Sequence, residues 1–495
     1  MPRGPVPPRP SPLLPSTSLP DSGTPVTETV AAIATAPGEG AVGIIRLSGP
    51  RALDLAHEIF RTPQGDPFPG FSPRKLLHGR VTNPETGEVL DECLLAVMPG
   101  PHSYTGEDVA EIHGHGGPFS LRAILRLLID RGASPAGPGE FTRRAFLNGR
   151  MDLVQAEAVA DLIAARSEAG LRAALGHLSG RLSRELEAVW KELIGIAAQL
   201  EAAIDFPDED LEIQASARLV ERTGGALERL EFLLRSFHAG RAIREGTPAA
   251  IVGRPNVGKS SLLNLLLRED RALTSPIPGT TRDTIEETAV IGGTPFRFID
   301  TAGLRESADP VERAGVERAR RMAGSASLIL LVLDASAPLT DEDRTILSEL
   351  AAPPPPAGPA IIGVLNKADL GSAVSPEEAG RLFPDGRCAR VSALRGDGLE
   401  ALEALLVETV LGGGRAGGGG LADGELLLTR ERHRERVKAA AEFVSAAIEA
   451  MKAGLSPELV AVELTEAMNA LGGLLGKDFN EDLLDGIFRE FCIGK

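Results

Sequence analysis

The sequence predicts a multidomain protein of α/β and α class, in which one α/β domain is inserted into a helical domain and an α+β domain precedes both. Three observations predict this arrangement. At 495 residues the chain is long enough for roughly two to four domains. A glycine-rich loop lies between an apolar, strand-like run and a helical segment, Ala249 to Leu267. Apolar residues at helical spacing occur on both sides of that α/β region.

The composition of the chain indicates in which compartment and with which classes of partner the protein works. The formal net charge is −17, which argues against general adhesion to nucleic acid but leaves room for a local basic patch. Cys93, Cys388 and Cys492 lie far apart without a C-x-x-C pair, so neither a disulfide framework nor a zinc site is indicated. No window reaches the apolar length of a membrane span. We therefore expect a protein of the reducing cytoplasm that makes no use of a membrane.

The chain before the inserted domain divides into three parts. Residues 1–26 are rich in Pro and Ser, and only Arg3 and Arg9 are basic there, so we expect a disordered tail and not a transit peptide. Residues 27–147 form the predicted α+β domain, and residues 148–245 the first part of the helical domain. The strands expected in the α+β domain are Ala31–Ala34, Gly43–Leu47, His78–Thr82, Glu92–Met98 and Val109–His113, and its helices are Pro50–Phe60 and Phe119–Asp130.

Changes of composition also bound the inserted domain and the segments that follow it. The α/β pattern covers residues 246–412, and a Gly-rich linker is expected at 413–424. Residues 425–495 form the second part of the helical domain, with helices expected at Leu426–Glu466 and Asp482–Phe491. Domain insertion is tolerated where the two ends of the inserted domain lie close together.

The glycine-rich loop carries the strongest chemical signal. Gly253 to Ser260 reads G-R-P-N-V-G-K-S, after the apolar run Ala249–Val252 and before the helical segment Ser261–Leu267. Between a strand and a helix, this pattern is a phosphate-binding loop (P-loop). Its backbone N–H groups turn towards phosphate oxygens, and the helix N-terminus adds positive charge. Lys259 is placed for the β and γ phosphates, and the Ser260 hydroxyl for Mg²⁺.

Two motifs suited to the γ-phosphate follow the P-loop. The first, G-T-T-R-D from Gly279, supplies the Thr281 hydroxyl as a second Mg²⁺ ligand, and its Arg282 is a candidate catalytic residue beside Lys259. The second, D-T-A-G from Asp300 to Gly303, ends a predicted strand. Its carboxylate suits the Mg²⁺ shell, and its last N–H group suits the γ-phosphate.

A further pair of motifs predicts selection of guanine. N-K-A-D at Asn366–Asp369 offers a carboxylate to the guanine N1–H and exocyclic amine, which adenine cannot match. Ser392 and Ala393 are expected to close the base pocket. These motifs together predict a domain that binds and hydrolyses GTP. The residues expected to contact the nucleotide are Asn256, Val257, Gly258, Lys259, Ser260, Ser261, Ser275, Pro276, Ile277, Pro278, Gly279, Thr280, Thr281, Asp300, Thr301, Ala302, Gly303, Asn366, Lys367, Ala368, Asp369, Ser392 and Ala393.

One position departs from the pattern of many small GTPases. Leu304 follows Gly303, where those proteins place a glutamine that orients the attacking water. Because leucine has no polar atom, either another group supplies this role or the domain is a slow switch.

Two further patterns have competing explanations. His113 and His115 alternate with glycines, but no third metal ligand is close, so a glycine loop after a strand is preferred to a metal site. The segment Arg430–Arg436 is either a basic patch that faces RNA or a solvated helix face with Glu–Arg pairs.

Several strings outside the nucleotide-binding domain resemble the tRNA-modifying GTPase family called MnmE or TrmE. The resemblance covers the chain from about Thr27 to Lys495. The terminal C-I-G-K is the most specific sign, because a generic GTPase has no reason to end in this way. The strings are G-I-I-R-L-S-G from Gly43, Y-T-G-E-D from Tyr104, H-G-H-G-G from His113, P-G-E-F-T from Pro138, R-A-F-L-N from Arg144, A-I-D-F-P from Ala203 and F-C-I-G-K from Phe491.

The resemblance implies a three-part subunit. Its N-terminal domain would bind folate and form a homodimer, a helical domain would follow, and a Ras-like P-loop GTPase domain would be inserted into the helical one. The family acts with the FAD enzyme MnmG (GidA) in a heterotetramer. It adds an aminomethyl or carboxymethylaminomethyl group to C5 of the wobble uridine (U34) of certain tRNAs, with 5-formyl- or methylene-tetrahydrofolate as the source of the carbon unit.

The resemblance also implies K⁺ where paired GTPase domains meet across the dimer. Its K⁺ ligands fall on Asn256, Ser275, the Ile277 carbonyl and Thr280, and Ser275 stands where many members have Thr. A cation beside the phosphates neutralises developing charge, as an arginine finger does. The family's catalytic glutamate falls on Glu312, whose carboxylate could orient water. The alternative is an ordinary glutamate in the first turn of a helix.

The implied folate contacts fall on Arg46, Glu111, Arg150 and Lys495. A carboxylate such as Glu111 suits the amide-and-amine edge of a pterin, and the glutamyl tail needs cations. Arg150 replaces a Lys of some relatives, so a planar fork stands where they have a point charge. Cys492 would lie near this site if the C-terminus folds back, either as a nucleophile or as a small buried residue.

Two other classes of function compete with this one. A ribosome-assembly GTPase similar to the Era and Der families would share the nucleotide motifs and also lack the glutamine, but no convincing G-x-x-G loop of its RNA module occurs here. A non-enzymatic switch would change conformation with GTP and do no chemistry. Turnover with and without K⁺ separates the switch from the enzyme, and tetrahydrofolate binding separates the ribosome factor from the modification enzyme.

Overall fold

The structure is a computed structural model that describes residues 28–68, 70, 72–205, 213–267, 287–299, 324–350, 359–383, 385–411 and 426–495. Its chain divides into two compact units. The first comprises Met1–Ile163, His177–Leu230 and Arg436–Lys495, and the second Ala164–Gly176 and Glu231–Glu435. Each unit contains one of the two sheets and part of the helical segments.

The first unit contains a predominantly antiparallel sheet. Its strands are β1 (Val30–Ile33), β2 (Gly40–Ser48), β3 (Phe60–Arg61), β4 (Leu77–Thr82), β5 (Val89–Met98), β6 (Val109–Gly116) and β7 (Ser134–Pro135). They lie in the order β3-β4-β5-β6-β2-β1-β7, and only β1 and β7 pair in parallel. The helices α1 (Ala52–Ile59) and α2 (Pro118–Asp130) bury apolar faces that join the core of the sheet. The five strands and two helices predicted here are confirmed, with ends that differ by no more than three residues.

β6 continues through the segment that was expected to be a glycine loop, so that prediction was wrong. The space beside Gly114 explains why a strand here contains glycine. A Cβ at Gly114 would lie 2.4 Å from the Asp91 carboxylate of β5. Asp91 also accepts a hydrogen bond from the His115 backbone N–H at 2.8 Å, and its other oxygen lies 2.7 Å from His115 Nδ1. The histidine–glycine alternation therefore accommodates a carboxylate on the neighbouring strand.

Five helices follow this sheet in the chain: α3 (Glu140–Leu147), α4 (Leu153–Ala164), α5 (Glu168–Leu178), α6 (Arg181–Asp205) and α7 (Ile213–Glu245). In the first unit, α6 is tied to α7 by ion pairs between Arg222 and Glu192 at 2.7 Å and between Arg229 and Glu185 at 2.6 Å.

The second unit contains a mostly parallel sheet. Its strands are β8 (Thr247–Val252), β9 (Glu287–Ile291), β10 (Thr294–Phe298), β11 (Leu328–Asp334), β12 (Ala360–Asn366) and β13 (Cys388–Arg390), and its helices are α8 (Lys259–Leu267), α9 (Asp341–Leu350), α10 (Pro376–Leu382) and α11 (Leu399–Leu411). The order is β13-β12-β11-β8-β10-β9, and only β9 is antiparallel to its neighbour. Apolar clusters cover both faces, as parallel sheets require. The carboxyl ends of β8, β11 and β12 meet at one edge, where ligands bind in such sheets.

The last helices are α12 (Glu431–Lys452), α13 (Pro457–Leu475) and α14 (Glu481–Phe488). The segment Leu426–Glu466, which was expected to be helical, is divided between α12 and α13. α12 stops before Gly454, which has a φ of 67°, and α13 starts afresh with a proline in its first turn. No helix within the described residues is long and apolar enough to cross a membrane.

The segment Arg430–Arg436 fits neither of its two explanations fully. Arg430 and His433 are buried, which an exposed basic patch or a wholly solvated face does not allow. Arg434 pairs with Glu431 and lies 5.1 Å from the centre of the Phe237 ring. This segment therefore contributes to packing in its own unit.

Candidate functional site

The P-loop between β8 and α8 has a backbone that only certain residues permit. Gly253 and Gly258 have φ values of 148° and 96°. A Cβ at these positions would lie 2.3 Å from the Val332 carbonyl and 2.2 Å from Asn366 Nδ2, so the loop packs directly on β11 and β12. Asn256, with a φ of 65°, is of a residue type that tolerates this left-handed conformation. The two glycines thus let the loop lie flat against the edge of the sheet.

The Lys259 side chain folds back over the start of the loop. Its ammonium donates hydrogen bonds to the Gly253 and Arg254 carbonyls, both at 2.8 Å. Lys259 is also the first residue of α8, so its charge adds to the positive end of the helix dipole. A cation and a helix N-terminus on one loop provide the electrostatics for binding phosphate. Ser260 and Ser261 follow in the first turn of α8.

A second contact holds the P-loop from the side of α9. Arg254 Nε donates to Asp343 Oδ2 at 3.2 Å, and the side chain of Asp343 is only 3 % exposed. The same oxygen accepts from the Thr340 backbone N–H at 3.0 Å and from the Thr340 hydroxyl at 2.9 Å. Asp343 therefore joins the start of α9 to the P-loop. The sequence motifs did not reveal this contact, because Arg254 occupies a variable position of the P-loop pattern.

The guanine motif is built around a buried amide. Asn366 Nδ2 donates to the Val257 carbonyl at 2.8 Å, and Asn366 Oδ1 accepts from the Ala393 backbone N–H at 2.9 Å. Asn366 thus joins the P-loop to the segment Ser392–Ala393 and fixes the distance between them. Ser392 donates from its hydroxyl to Asp369 Oδ1 at 2.7 Å. This hydrogen bond orients the carboxylate that is expected to read the base.

Lys367 is fixed by a carboxylate that the motifs did not single out. Its φ of 63° is left-handed, and its ammonium donates to Asp334 Oδ2 at 2.7 Å. Burial alone would raise the pKa of Asp334, but hydrogen bonds from Lys367 and Ser336 outweigh it and hold that pKa below its ordinary value. The signal was available in the sequence, because Asp334 ends β11 beside the end of β12.

Many of the predicted nucleotide, metal and catalytic residues lie outside the described residues. They include both motifs that are expected to meet the γ-phosphate, the position of the missing glutamine and the candidate catalytic glutamate. They are Ser275, Pro276, Ile277, Pro278, Gly279, Thr280, Thr281, Arg282, Asp300, Thr301, Ala302, Gly303, Leu304 and Glu312.

The first unit brings together the residues of the second candidate site. Arg46 on β2 and Glu111 on β6 are directly paired across the sheet, and Arg46 Nε donates to Glu111 Oε1 at 2.8 Å. The other carboxylate oxygen lies 3.3 Å from His113 Nε2. Contact with His113 lowers the pKa of Glu111 against the opposing effect of burial, and Arg46 lowers it further. One oxygen of the Glu111 carboxylate is therefore held by Arg46, and the other lies beside His113.

The C-terminus folds back onto this pair. The Gly494 carbonyl accepts a hydrogen bond from Arg46 Nη1 at 3.4 Å, and the Lys495 carbonyl accepts one from the Phe141 N–H at 3.0 Å. A Cβ at Gly494 would lie 2.4 Å from the Ile33 carbonyl, so the tail fits closely against β1. Cys492 is exposed, which excludes its explanation as a small buried residue.

A cleft with a volume of about 510 Å³ lies beside the Arg46–Glu111 pair, in the size range of small-molecule sites. Glu111 and Arg150 both line it. Tyr104 also lines it, and its ring lies 5.5 Å from the Arg46 guanidinium carbon, as does the ring of Phe141. Sequence reasoning missed both aromatic residues, although they stand inside the Y-T-G-E-D and P-G-E-F-T strings. The cleft residues are Arg74, Lys75, Leu76, Ala96, Met98, His102, Ser103, Tyr104, Glu111, His113 and Arg150.

Comparisons with known proteins cover almost the whole chain. The family model described as GTP-binding protein TrmE N-terminus matches residues 29–150, and the MnmE helical domain model matches residues 153–492. A tRNA modification GTPase MnmE of Natranaerobius thermophilus is 43% identical over 468 residues, which cover 94% of this chain and 99% of the relative. The protein of the same name from Moorella thermoacetica is 46% identical over 475 residues, with 94% and 99% covered. That of Chloroflexus aurantiacus is 46% identical over 474 residues, with 95% and 100% covered.

Proposed function

The chain belongs to the tRNA modification GTPase MnmE family, and from that premise we propose that it modifies the wobble uridine of tRNA with the help of GTP hydrolysis. It is a GTP hydrolase. The finer proposal is that it acts in the cytoplasm as a homodimer, with an FAD-dependent MnmG/GidA partner. Together they add an aminomethyl or carboxymethylaminomethyl group to C5 of U34, with a tetrahydrofolate derivative as the carbon donor.

The nucleotide-binding half of the proposal is supported by the P-loop and by the pocket that Asn366 organises. Lys259 and the start of α8 supply positive charge for the phosphates, and the Ser392 hydroxyl orients Asp369 for the guanine edge. Ser260 and Thr281 would hold Mg²⁺, which neutralises charge on the phosphate oxygens. Ser260, at the start of α8 directly after Lys259, fits that role.

The folate half of the proposal rests on one observation: the C-terminal tail lies against the Arg46–Glu111 pair beside a cleft that Arg150 lines. A carboxylate held in its charged form by Arg46 and His113 can accept two N–H groups from the edge of a pterin. Arg150, and Lys495 at the chain end, would supply cations for the carboxylates of a glutamyl tail. These groups support the proposal of a reduced folate as the ligand.

The proposed K⁺ ligands are Asn256, Ser275, Ile277 and Thr280. Asn256 is exposed on the P-loop in a left-handed conformation, which fits an outward-facing ligand. A monovalent cation there would add positive charge beside the β and γ phosphates. The Asn256→Ala variant should lose the stimulation of GTP hydrolysis by K⁺ while it keeps most of its nucleotide affinity. Equal rates in K⁺ and Na⁺ for the unaltered protein would exclude K⁺ activation.

The decisive test measures binding of 5-formyl-tetrahydrofolate by the purified protein and the wobble uridines of cells that lack it. We expect saturable binding, and tRNA without C5-modified U34 by mass spectrometry. Binding without a change in U34 would make the protein a folate-dependent enzyme of another reaction. The alternative of a ribosome-assembly GTPase similar to Era or Der is not favoured, because the family match extends over residues 29–150.

A further inference from the structure

The cleft beside Glu111 is basic, although the whole chain carries a net charge of −17. Arg74, Lys75 and Arg150 line it as basic side chains, together with His102 and His113. Glu111 is its one acidic lining residue among the described residues, and Arg46 already offsets that carboxylate at 2.8 Å. The cleft therefore presents three Arg and Lys side chains, one more than the two carboxylates of a single glutamate tail.

The sheet register places these cations on a path that leads away from the Arg46–Glu111 pair. Glu111 on β6 pairs directly with Ala96 on β5, so the two side chains lie on the same face of the sheet. Beyond β5, the Arg74 backbone N–H donates to the Val97 carbonyl at 2.9 Å. Arg74 and Lys75 thus lie two strand spacings from Glu111, about 10 Å. The small side chain of Ala96 leaves the floor of the cleft open between them.

Arg74 is held in an unusual conformation at the outer end of this path. Its φ of 59° is left-handed, which is uncommon for a residue other than Gly, Asn or Asp. One guanidinium N–H donates to the His102 carbonyl at 3.1 Å, and the side chain stays exposed. A guanidinium carries five N–H donors, so an anchored Arg74 retains donors for a carboxylate. Unfavourable backbone conformations of this kind cluster at ligand-binding positions.

From this geometry we infer that the cleft takes folates with an oligo-γ-glutamyl tail, and that Arg74 and Lys75 bind the carboxylates of the added glutamates. The inference rests on the proposed folate site. The pterin lies at the Arg46–Glu111 pair, Arg150 takes a carboxylate of the first glutamate, and the added glutamates leave the cleft on the side of Arg74 and Lys75. Each added glutamate brings one α-carboxylate, and the two cations match two of them. A cleft that continues from the pterin site favours a tail of the same ligand over an RNA backbone.

The test compares 5-formyl-tetrahydrofolate monoglutamate with its γ-triglutamate on the full-length protein by isothermal titration calorimetry. The wild-type protein should bind the triglutamate about 3- to 20-fold more tightly, the combined effect of two exposed ion pairs. Added salt should reduce this ratio, because exposed pairs are screened. The ratio should fall to near one in the Arg74→Ala/Lys75→Ala double variant. Arg126→Ala, which removes an exposed arginine of α2, should leave it unchanged.

The outcomes separate this inference from the proposed function. Equal affinities for the two ligands in the wild-type protein, or an undiminished ratio in the double variant, would overturn the inference and leave the folate site intact. Failure of both ligands to bind a protein that still binds GTP would overturn the folate site and the inference together. If the double variant loses affinity for tRNA but keeps the triglutamate ratio, the two cations belong to a nucleic-acid surface and the inference is wrong.

Discussion

The nucleotide-binding region and the cleft beside the Arg46–Glu111 pair are built from residues that lie at very different separations along the chain. In the nucleotide region the P-loop and the N-K-A-D motif each follow a strand directly, and parallel pairing of β8, β11 and β12 gathers those strand ends at one edge. In the cleft, Arg46 contacts Gly494, 448 positions away. The first site follows from local patterns and one rule of sheet topology, whereas the second depends on strand register and on where the last residues of the chain lie.

The largest effect is expected at Glu312, whose catalytic role rests on the family resemblance alone. Glu312→Ala should lower single-turnover GTP hydrolysis in saturating K⁺ by about 100- to 10,000-fold, because one water-orienting carboxylate is worth that much. Binding of GTP should survive, since Lys259 and the P-loop are unchanged. Glu306→Ala, a neighbouring acid in the same segment, is the matched control and should keep the wild-type rate. A Glu312→Ala rate within a few-fold of wild type removes this residue from the mechanism.

The comparison shows how much of each region the sequence could predict. The P-loop and the guanine motif were predicted from residue patterns, and the strand and the helix expected on either side of the P-loop are confirmed. The contact of Asp343 with Arg254 could not be read from motifs, because it joins the P-loop to a helix that follows another strand. The contact of Asp334 with Lys367 needs, besides the motif, the pairing of β11 with β12. The histidine–glycine strand was assigned to a loop because Asp91, which requires Gly114, lies on another strand.

Base recognition provides the next largest effect. Asp369→Asn replaces an acceptor with a donor at the guanine edge, so GTP affinity should fall about 10- to 100-fold, the worth of hydrogen bonds to a charged group. Xanthosine triphosphate should gain affinity, because its keto oxygen accepts from the new amide. Asp397→Asn changes an exposed carboxylate close to the same pocket and should change neither affinity. Unaltered GTP binding by Asp369→Asn in a nucleotide-displacement assay would refute the assignment of this pocket.

Replacing a carboxylate by its amide in the cleft tests a site that depends on long-range contacts. Glu111→Gln keeps the shape but removes the charge that Arg46 and His113 hold, so affinity for 5-formyl-tetrahydrofolate should fall about 10-fold. Glu92→Gln, an exposed carboxylate of β5, is the matched control. If only Glu92→Gln weakens binding, the ligand lies elsewhere on the sheet.

Glu111 should also leave a signature in the pH dependence of stability. Its folded-state pKa lies below the ordinary value, so the folded protein binds fewer protons here than the unfolded chain. Its stabilising contribution is therefore complete at neutral pH and is lost as the pH falls below the ordinary range of glutamate, about 4.3, through the lowered folded value. The difference in thermal midpoint between wild type and Glu111→Gln should shrink on acidification. A difference that widens would mean that the carboxylate is not stabilised in its charged form.

The smallest expected effect concerns the contact between Arg254 and Asp343, which the sequence motifs did not reveal. Arg254→Ala removes the hydrogen bond to Asp343 while Thr340 still donates to the same oxygen, so we expect a loss of about 1.5 kcal/mol in the free energy of unfolding of the second unit. GTP affinity should fall a few-fold, because the loop whose carbonyls hold Lys259 loses its contact with α9. Thermal unfolding with bound GDP and nucleotide titration measure the two effects.

A matched arginine on α9 separates positioning from surface charge. Arg344 pairs with Glu378 at 3.2 Å, and the two side chains are 55% and 34% exposed; pairs at the surface contribute roughly 0 to 1 kcal/mol. Arg344→Ala should therefore leave GTP affinity unchanged. In a double-mutant cycle, Asp343→Asn should reduce the effect of Arg254→Ala on GTP affinity, because both changes remove the same contact. Fully additive effects would show that Arg254 acts on the P-loop without Asp343, and the nucleotide site would then depend on its local motif alone.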